Sequence, residues 1–469
     1  MPSVTPPPAD RFCDLVMKGG ITSGVVYPRA ISKLSHHYHF KSIGGTSAGA
    51  IAAAVTAAAE YQRLQTGSRA GFDLLETLPE LLKENVAPNR SKLMSLFQPQ
   101  PRTRRLFNVL EDSLNRTGTY RRITCTIAGF LKSYWLATLV SFALAMLVLV
   151  TGQGILAATL TLLVATVVTV GLWVWHDLRR VVDNGFGLCS GLSEDKQQPA
   201  LTPWLHELIQ HAAGRTVHDA PLTFGDLWCG KKYEPGKTSG CKKEDYAIDL
   251  QMFSTNLSHG RPYVFPLDDE ETGPTRFRYQ DRLFFKPDEI SRIMPADIVR
   301  WIMKYSRPYE LEPGREDKDP PTIDGAGLRS LPRSADLPVL LATRMSLSFP
   351  LLFSAVPLYA INHELPKGCR KFARCWFSDG GISSNFPMHL FDDLVPAWPT
   401  FGISLEPRID CREDIFLPQH YKAGYGERWD LFGDGTKKPA SHELTPNSWT
   451  VHLAGTKGLS SVLYGTQAF

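Results

Sequence analysis

Paired cysteine motifs are missing from this 469-residue chain. Its eight cysteines, at positions 13, 125, 189, 229, 241, 369, 375 and 411, form no CxxC, which removes a zinc ribbon and a thioredoxin-type site. They are expected to be mostly reduced packing residues. A dominant charge is missing too: 51 Lys and Arg against 47 Asp and Glu leave +4, too little over this length for a nucleic-acid binder. The N-terminal MPSVTPPPADRF has no basic stretch followed by an apolar one, so no cleaved secretory signal is expected. Pro2 stands where myristoylation needs glycine, and residues 1–10 read as a proline-rich loose tail. None of the 13 histidines lies in a motif that marks a catalytic histidine.

What is present begins with an apolar block. From Tyr134 to Trp175 there is no Asp, Glu, Lys or Arg. Two stretches, Tyr134 to Val150 and Ile155 to Trp175, flank Thr151-Gly152-Gln153-Gly154, and each approaches the roughly 20 residues that cross a bilayer. A core helix of a water-soluble protein keeps a polar stripe that these lack. A transmembrane helical hairpin over residues 121–180 is expected. Arg121, Arg122 and Lys132 precede it, Arg179 and Arg180 follow it, and its turn is uncharged. The positive-inside rule then puts both ends, and the rest of the protein, in the cytoplasm.

Outside the hairpin the pattern is strand, Gly-rich turn, helix, twice over. Cys13 to Met17 reads as a strand, KGGITSG as a turn and Val25 to Leu34 as a helix. Phe40 to Ile43, Gly44 to Gly49 and Ala50 to Tyr61 repeat it. Two such units imply an α/β fold with a mainly parallel sheet. Further strands are expected at Ala247 to Thr255, Cys375 to Ser378 and Thr400 to Leu405, with helices near Asp297 to Tyr305 and Leu337 to Ser346.

Gly45-Thr46-Ser47-Ala48-Gly49 is a GxSxG between strand and helix. A sharp turn there strains the serine backbone and demands small neighbours, which Gly45, Ala48 and Gly49 supply. At a helix N-terminus, amides and dipole favour an oxyanion beside Ser47. A seryl hydroxyl needs a base. Asp379 follows the apolar Cys375-Trp376-Phe377-Ser378 and precedes Gly380-Gly381, so it stands where a strand ends, as ligand-site residues of α/β sheets do. Asp-Gly-Gly is also an ordinary turn former.

Taken in order, four blocks resemble the patatin-like phospholipases, lipid acyl hydrolases of three-layer α/β/α fold. They are Gly19-Gly20-Ile21-Thr22-Ser23-Gly24, the serine block Gly45 to Gly49, Ala342 to Pro350 (ATRMSLSFP), and Asp379-Gly380-Gly381 with Asn385-Phe386-Pro387. The resemblance implies Ser47 as nucleophile and Asp379 as base. It implies an oxyanion hole from the amides of Gly19, Gly20 and Ile21, with help from Ala48, and no cofactor or metal. The chemistry is then acyl transfer to Ser47 from a phospholipid or other acyl-ester lipid, followed by hydrolysis. The family's GGGxRG loop is altered: Ile21 holds the third glycine position and Ser23 the basic one, with Lys18 the nearest cation.

The domains expected are a patatin-like part over 11–120, the hairpin over 121–180, the remainder of the domain over 181–405 and a C-terminal extension over 406–469. The chain stops at Phe469 in what reads as the beginning of a helix. Cys229 and Cys241 flank a polar stretch that reads as a mobile surface insert, with a disulfide or metal cap as the other reading, and residues 310–322 read as a solvated loop. The expected function is a membrane-anchored serine lipid acyl hydrolase. Acylglycerol hydrolysis or acyl transfer by the same pair, and an inactive membrane-bound interaction protein of the same fold, stay open.

Overall fold

A computed structural model of the chain describes residues 11–404 except 21–26, 88–89, 115–118, 194–197, 238–240, 268–282, 312, 315, 317 and 392–395. The expected tail over 1–10 and extension over 406–469 lie outside the described residues, as does Ile21.

The main sheet has nine strands: β1 (Phe12–Met17), β2 (His39–Gly45), β3 (Asp249–Asn256), β4 (Arg261–Phe265), β5 (Phe284–Phe285), β6 (Arg329–Ser330), β7 (Val356–Ile361), β8 (Phe372–Asp379) and β9 (Thr400–Ile403). Neighbours run β9-β1-β2-β3-β8-β7-β5-β6, and β4 also pairs with β3. β1 is buried from Cys13 to Met17 on both faces, which is why its apolar run does not alternate. From β9 through β3 the pairing is parallel, as expected from the repeated strand-turn-helix units. Beyond β3 every pairing is antiparallel, and the hairpin neighbours β3–β4 and β7–β8 are joined by connections too short to hold a crossover helix. The expected mainly parallel sheet is thus the half that carries Ser47; the half that carries Asp379 is antiparallel.

The helices around the site and in the apolar block are α1 (Tyr27–Ser35), α2 (Ala48–Thr66), α3 (Ala70–Lys83), α4 (Trp135–Val150), α5 (Ile155–Asp183), α6 (Leu201–Ala212) and α7 (Val339–Ser346). α2 is the central one. Its alanine run lets it lie close on the sheet, and it is buried on nearly all sides by α3, α6 and α7. Its buried Glu60 is paired with Arg63 and lies 3.1 Å from His39. On the opposite face of the sheet Gly44 lies against Leu390 and Phe391. Among the described residues, that segment is what represents the third layer of the expected α/β/α arrangement.

The apolar block forms two helices joined by the Thr151–Gly154 turn, as the sequence suggests. Among the described residues, α5, with 29 residues and an 18-residue stretch of mean hydropathy 2.4, is by length and composition the one helix able to cross a bilayer alone. α4 has 16 residues, and the helical segment before it, Thr126–Ser133, meets it at 84°. At 1.5 Å per residue α4 spans about 24 Å, short of the roughly 30 Å hydrocarbon layer. Small residues line the seam between the two. Ala137, Ser141 and Ala145, spaced by four, are buried on α4, and Ser141 Oγ lies 2.9 Å from Thr169 Oγ1 of α5. The outward faces are apolar and open, with Val150, Ile155 and Leu156 79%, 75% and 84% exposed.

One cysteine reading changes. Cys229 and Cys241 are joined by a disulfide, their Cα atoms 6.0 Å apart, so the stretch between them is a closed loop and not a free insert.

Candidate active site

β2 delivers Ser47. The strand ends at Gly45, the chain turns, and Ser47 becomes the residue just before α2, with φ +55° and ψ −129°. A non-glycine residue in that region carries about 1–3 kcal/mol of strain. Close packing leaves the chain no other path: a methyl group on Gly45 would run into the carbonyl of Gly49, and one on Gly49 into the carbonyl of Met17. Serine at such a position usually caps its helix, yet this hydroxyl makes no capping bond. The Ser47 N–H donates to Ser346 Oγ of α7 at 3.1 Å.

β8 delivers Asp379 to the same place. Gly45 pairs with Met252 of β3, and Asp379 pairs with Ser254. β4 occupies the other edge of β3 from Met252 to Asn256, so β2 and β8 share one edge, end to end, with their C-termini facing. The Asp379 N–H donates to Ser348 O at 3.0 Å, just past α7. One carboxylate oxygen, Oδ1, accepts from Gly381 N–H at 2.7 Å, while Oδ2 has no hydrogen-bond partner among the described residues. Ser47 and Asp379 are 7% and 3% exposed. Burial pushes the Asp379 carboxyl up to about 6, against the opposing influence of the nearby Ser47 hydroxyl and the Gly381 amide. No hydrogen bond joins the Ser47 hydroxyl to Oδ2 among the described residues.

The amides divide. Gly19 lies beside Thr46, Ser47 and Asn385, but its N–H donates to Asn385 O at 2.8 Å, which removes it from the expected oxyanion donors. Its bond fixes the start of the loop, helped by the Tyr27 hydroxyl donating to Lys18 O. Gly20 follows at the border of the described residues. Ala48 opens α2, where N–H groups lack intrahelical partners and the helix dipole is positive.

Residues of the quoted blocks to which the sequence reading gave no role hold these parts together. Ser346 and Ser348, within the ATRMSLSFP block, bind the backbone of Ser47 and Asp379 respectively. Arg344, fully buried with no carboxylate partner among the described residues, donates to Ser348 Oγ at 2.6 Å and to the carbonyls of Ser190 and Ser354 at 3.1 and 3.0 Å. Asn385 accepts from Gly19 and, at 3.3 Å, from the Thr46 hydroxyl, and its own side-chain Nδ2 is buried without a partner among the described residues. No group of three or more His, Cys, Asp or Glu is placed to hold a metal among the described residues.

Comparison with known proteins gives the same direction. Residues 15–130 match the family profile described as patatin-like phospholipase. The chain is 36% identical to a Rhizobium meliloti (strain 1021) protein named RpoH suppressor, an alignment that takes in 92% of this chain and 72% of that one. Among solved structures it is similar to VipD from Legionella pneumophila, at 14% identity and a TM-score of 0.29, over 84% of this chain and 49% of that one.

Proposed function

The chain belongs to the patatin-like phospholipase family, and from that premise we propose that it is a membrane-anchored lipid acyl hydrolase working through Ser47 and Asp379. The observation that carries the reading is the pair itself: a strained, uncapped serine beside a buried carboxylate whose Oδ2 is unpartnered among the described residues. In this reading Asp379 takes the hydroxyl proton as Ser47 Oγ attacks the acyl carbonyl. The tetrahedral oxyanion forms near the Ala48 amide, with Gly20 and Ile21 as further donors. Collapse expels the alcohol, which takes up the proton. Asp379 then deprotonates water, which attacks the acyl carbon; the bond to Ser47 Oγ breaks, Oγ takes the proton back from Asp379, and the acyl group leaves as a fatty acid.

Membrane anchoring is supported by the open apolar faces of α4 and α5 and by their small-residue seam. A two-helix hairpin with the domain on the positively flanked, cytoplasmic side follows from the charges around it. An anchored enzyme meets insoluble esters in two dimensions, which fits a phospholipid or another acyl-ester lipid as substrate.

The test is fluorophosphonate labelling of the full chain in neutral detergent, followed by turnover on a panel of acyl esters. Labelling that vanishes in Ser47→Ala, with product fatty acid lost in parallel, is the expected result. A folded protein that does not label would favour the inactive interaction protein, the reading to which Ile21 and Ser23 in the altered loop point.

A further inference from the structure

Away from Ser47, a cavity of about 240 Å³ opens at the base of the hairpin, where α5 ends and the domain begins. Four arginines line it: Arg102, Arg180, Arg292 and Arg374. They come from four separate parts of the chain. Two carboxylates, Asp183 and Glu289, also line it, and Glu289 is already bound by Arg374. Arg180 reaches Asp177 at 3.4 Å. The guanidinium groups of Arg102 and Arg292 have no hydrogen bond or ion pair among the described residues, the Arg292 backbone N–H alone donating, to Glu289 O. Positive charge flanking a membrane helix accounts for Arg180, which is on α5 itself, but not for Arg292 and Arg374, which the domain brings up from far along the chain.

We infer that this cavity binds a phosphate group, and specifically the phosphate of an anionic phospholipid drawn from the leaflet at the hairpin base. Guanidinium groups bind phosphate through paired, charge-assisted hydrogen bonds, and two of these have no other partner to give up. Position selects the lipid source. A second hollow, about 420 Å³, shares Arg180 and runs along α5 past Leu172 and Trp173. Arg105 lies 4.8 Å from the Trp173 ring and Arg179 5.1 Å from the Trp175 ring, the depth at which indoles meet headgroups. A phosphate among the arginines would thus leave its acyl chains on the apolar side of the helix. The site is separate from Ser47, and it rests on the reading of the hairpin as a membrane anchor.

The experiment uses the full chain in neutral detergent. Native mass spectrometry counts lipid retained from an equimolar mixture of phosphatidylglycerol and phosphatidylcholine, and glycerol 1-phosphate is the soluble probe. Wild type is expected to retain phosphatidylglycerol preferentially, and Arg102→Gln/Arg292→Gln to lose that preference by about tenfold or more. Lys231→Gln/Lys232→Gln, on a distant exposed turn, should keep it. Equal retention of the two lipids by wild type overturns the proposal, as does a preference unchanged in the arginine variant. Glycerol 1-phosphate bound as tightly as the lipid would make the ligand a soluble phosphate and overturn the lipid assignment. Fluorophosphonate labelling in detergent should be the same in wild type and variant, so failure of the active-site reading shows separately. Failure of the protein to float with vesicles of either lipid would count against the anchor.

Discussion

Gly45 and Asp379 end two strands that run in opposite directions along one edge of β3, pairing with Met252 and Ser254. A parallel and an antiparallel partner therefore bring their C-termini face to face, and the serine turn leaves from one while the carboxylate arrives on the other. Separation in sequence is immaterial here, because β3 sets the distance.

The carboxyl of Asp379 is raised from 3.8 to about 6 by burial. The folded protein thus holds this proton more tightly than the unfolded chain does. Its stabilising contribution is complete below about pH 4 and is lost as pH rises through about 6, a difference of about 3 kcal/mol. Asp379→Asn should be more stable than wild type at pH 8 by up to that amount and no more stable at pH 3, measured by urea unfolding at both. Activity runs the other way. Only the ionised carboxylate accepts a proton, so kcat/KM should rise through about pH 6 in wild type and be abolished in the variant. A pH-independent stability difference would show that the group is not held at a raised pKa.

Ser346 gives a prediction about positioning. Its hydroxyl accepts from Ser47 N–H at 3.1 Å inside a fully buried setting. Ser346→Ala leaves that amide unpaired and should cost about 1–3 kcal/mol of stability. The strained turn loses its brace as well, so kcat should fall by more than KM rises, while Ser346→Thr restores both. Equal losses in the alanine and threonine variants would point to packing and not to the hydroxyl.

The serine turn tolerates no added methyl. Gly45→Ala sets a side chain against the Gly49 carbonyl, and Gly49→Ala against the Met17 carbonyl, both backbone atoms that cannot swing aside. Each should destabilise the fold by about 3 kcal/mol or more, visible in thermal unfolding. Gly67→Ala, at a position with open space but φ +73°, should cost only about 1 kcal/mol, since its burden is conformational alone.

Local chemistry made the Ser47 half of the site legible: strand, small-residue turn and helix are contiguous, and their steric demands are written in neighbouring residues. The Asp379 half was legible as a strand end but not as an antiparallel one, because direction is set by what β3 pairs with, and pairing is not local. The same holds for Ser346 and Asn385, whose partners lie hundreds of residues away. Gly19 illustrates the converse. A glycine loop suggests free amides, yet this N–H is taken by Asn385 O, a carbonyl that no spacing within the loop foretells. The bond between Cys229 and Cys241 was hidden for a similar reason, since the eleven residues between them say little about where their ends meet.

The hairpin is where length and composition disagree, and labelling from either side of a membrane decides between them. α5 is long enough to cross, whereas α4 falls short by about 6 Å of hydrocarbon. Because Ser141 and Thr169 meet at 2.9 Å, the two helices pack as one unit, and α4 is carried as deep as its partner. Were both helices to cross, as proposed, the local bilayer would thin or Trp135 would settle at the interface, each a modest cost. In a Cys369→Ser background, Gln153→Cys in the uncharged turn should react with a membrane-impermeant maleimide only from the face opposite the domain. Asp183→Cys, at the end of α5, should react only from the domain's own face. Reaction of both positions from the domain side would mean that the helices lie on the bilayer without crossing it.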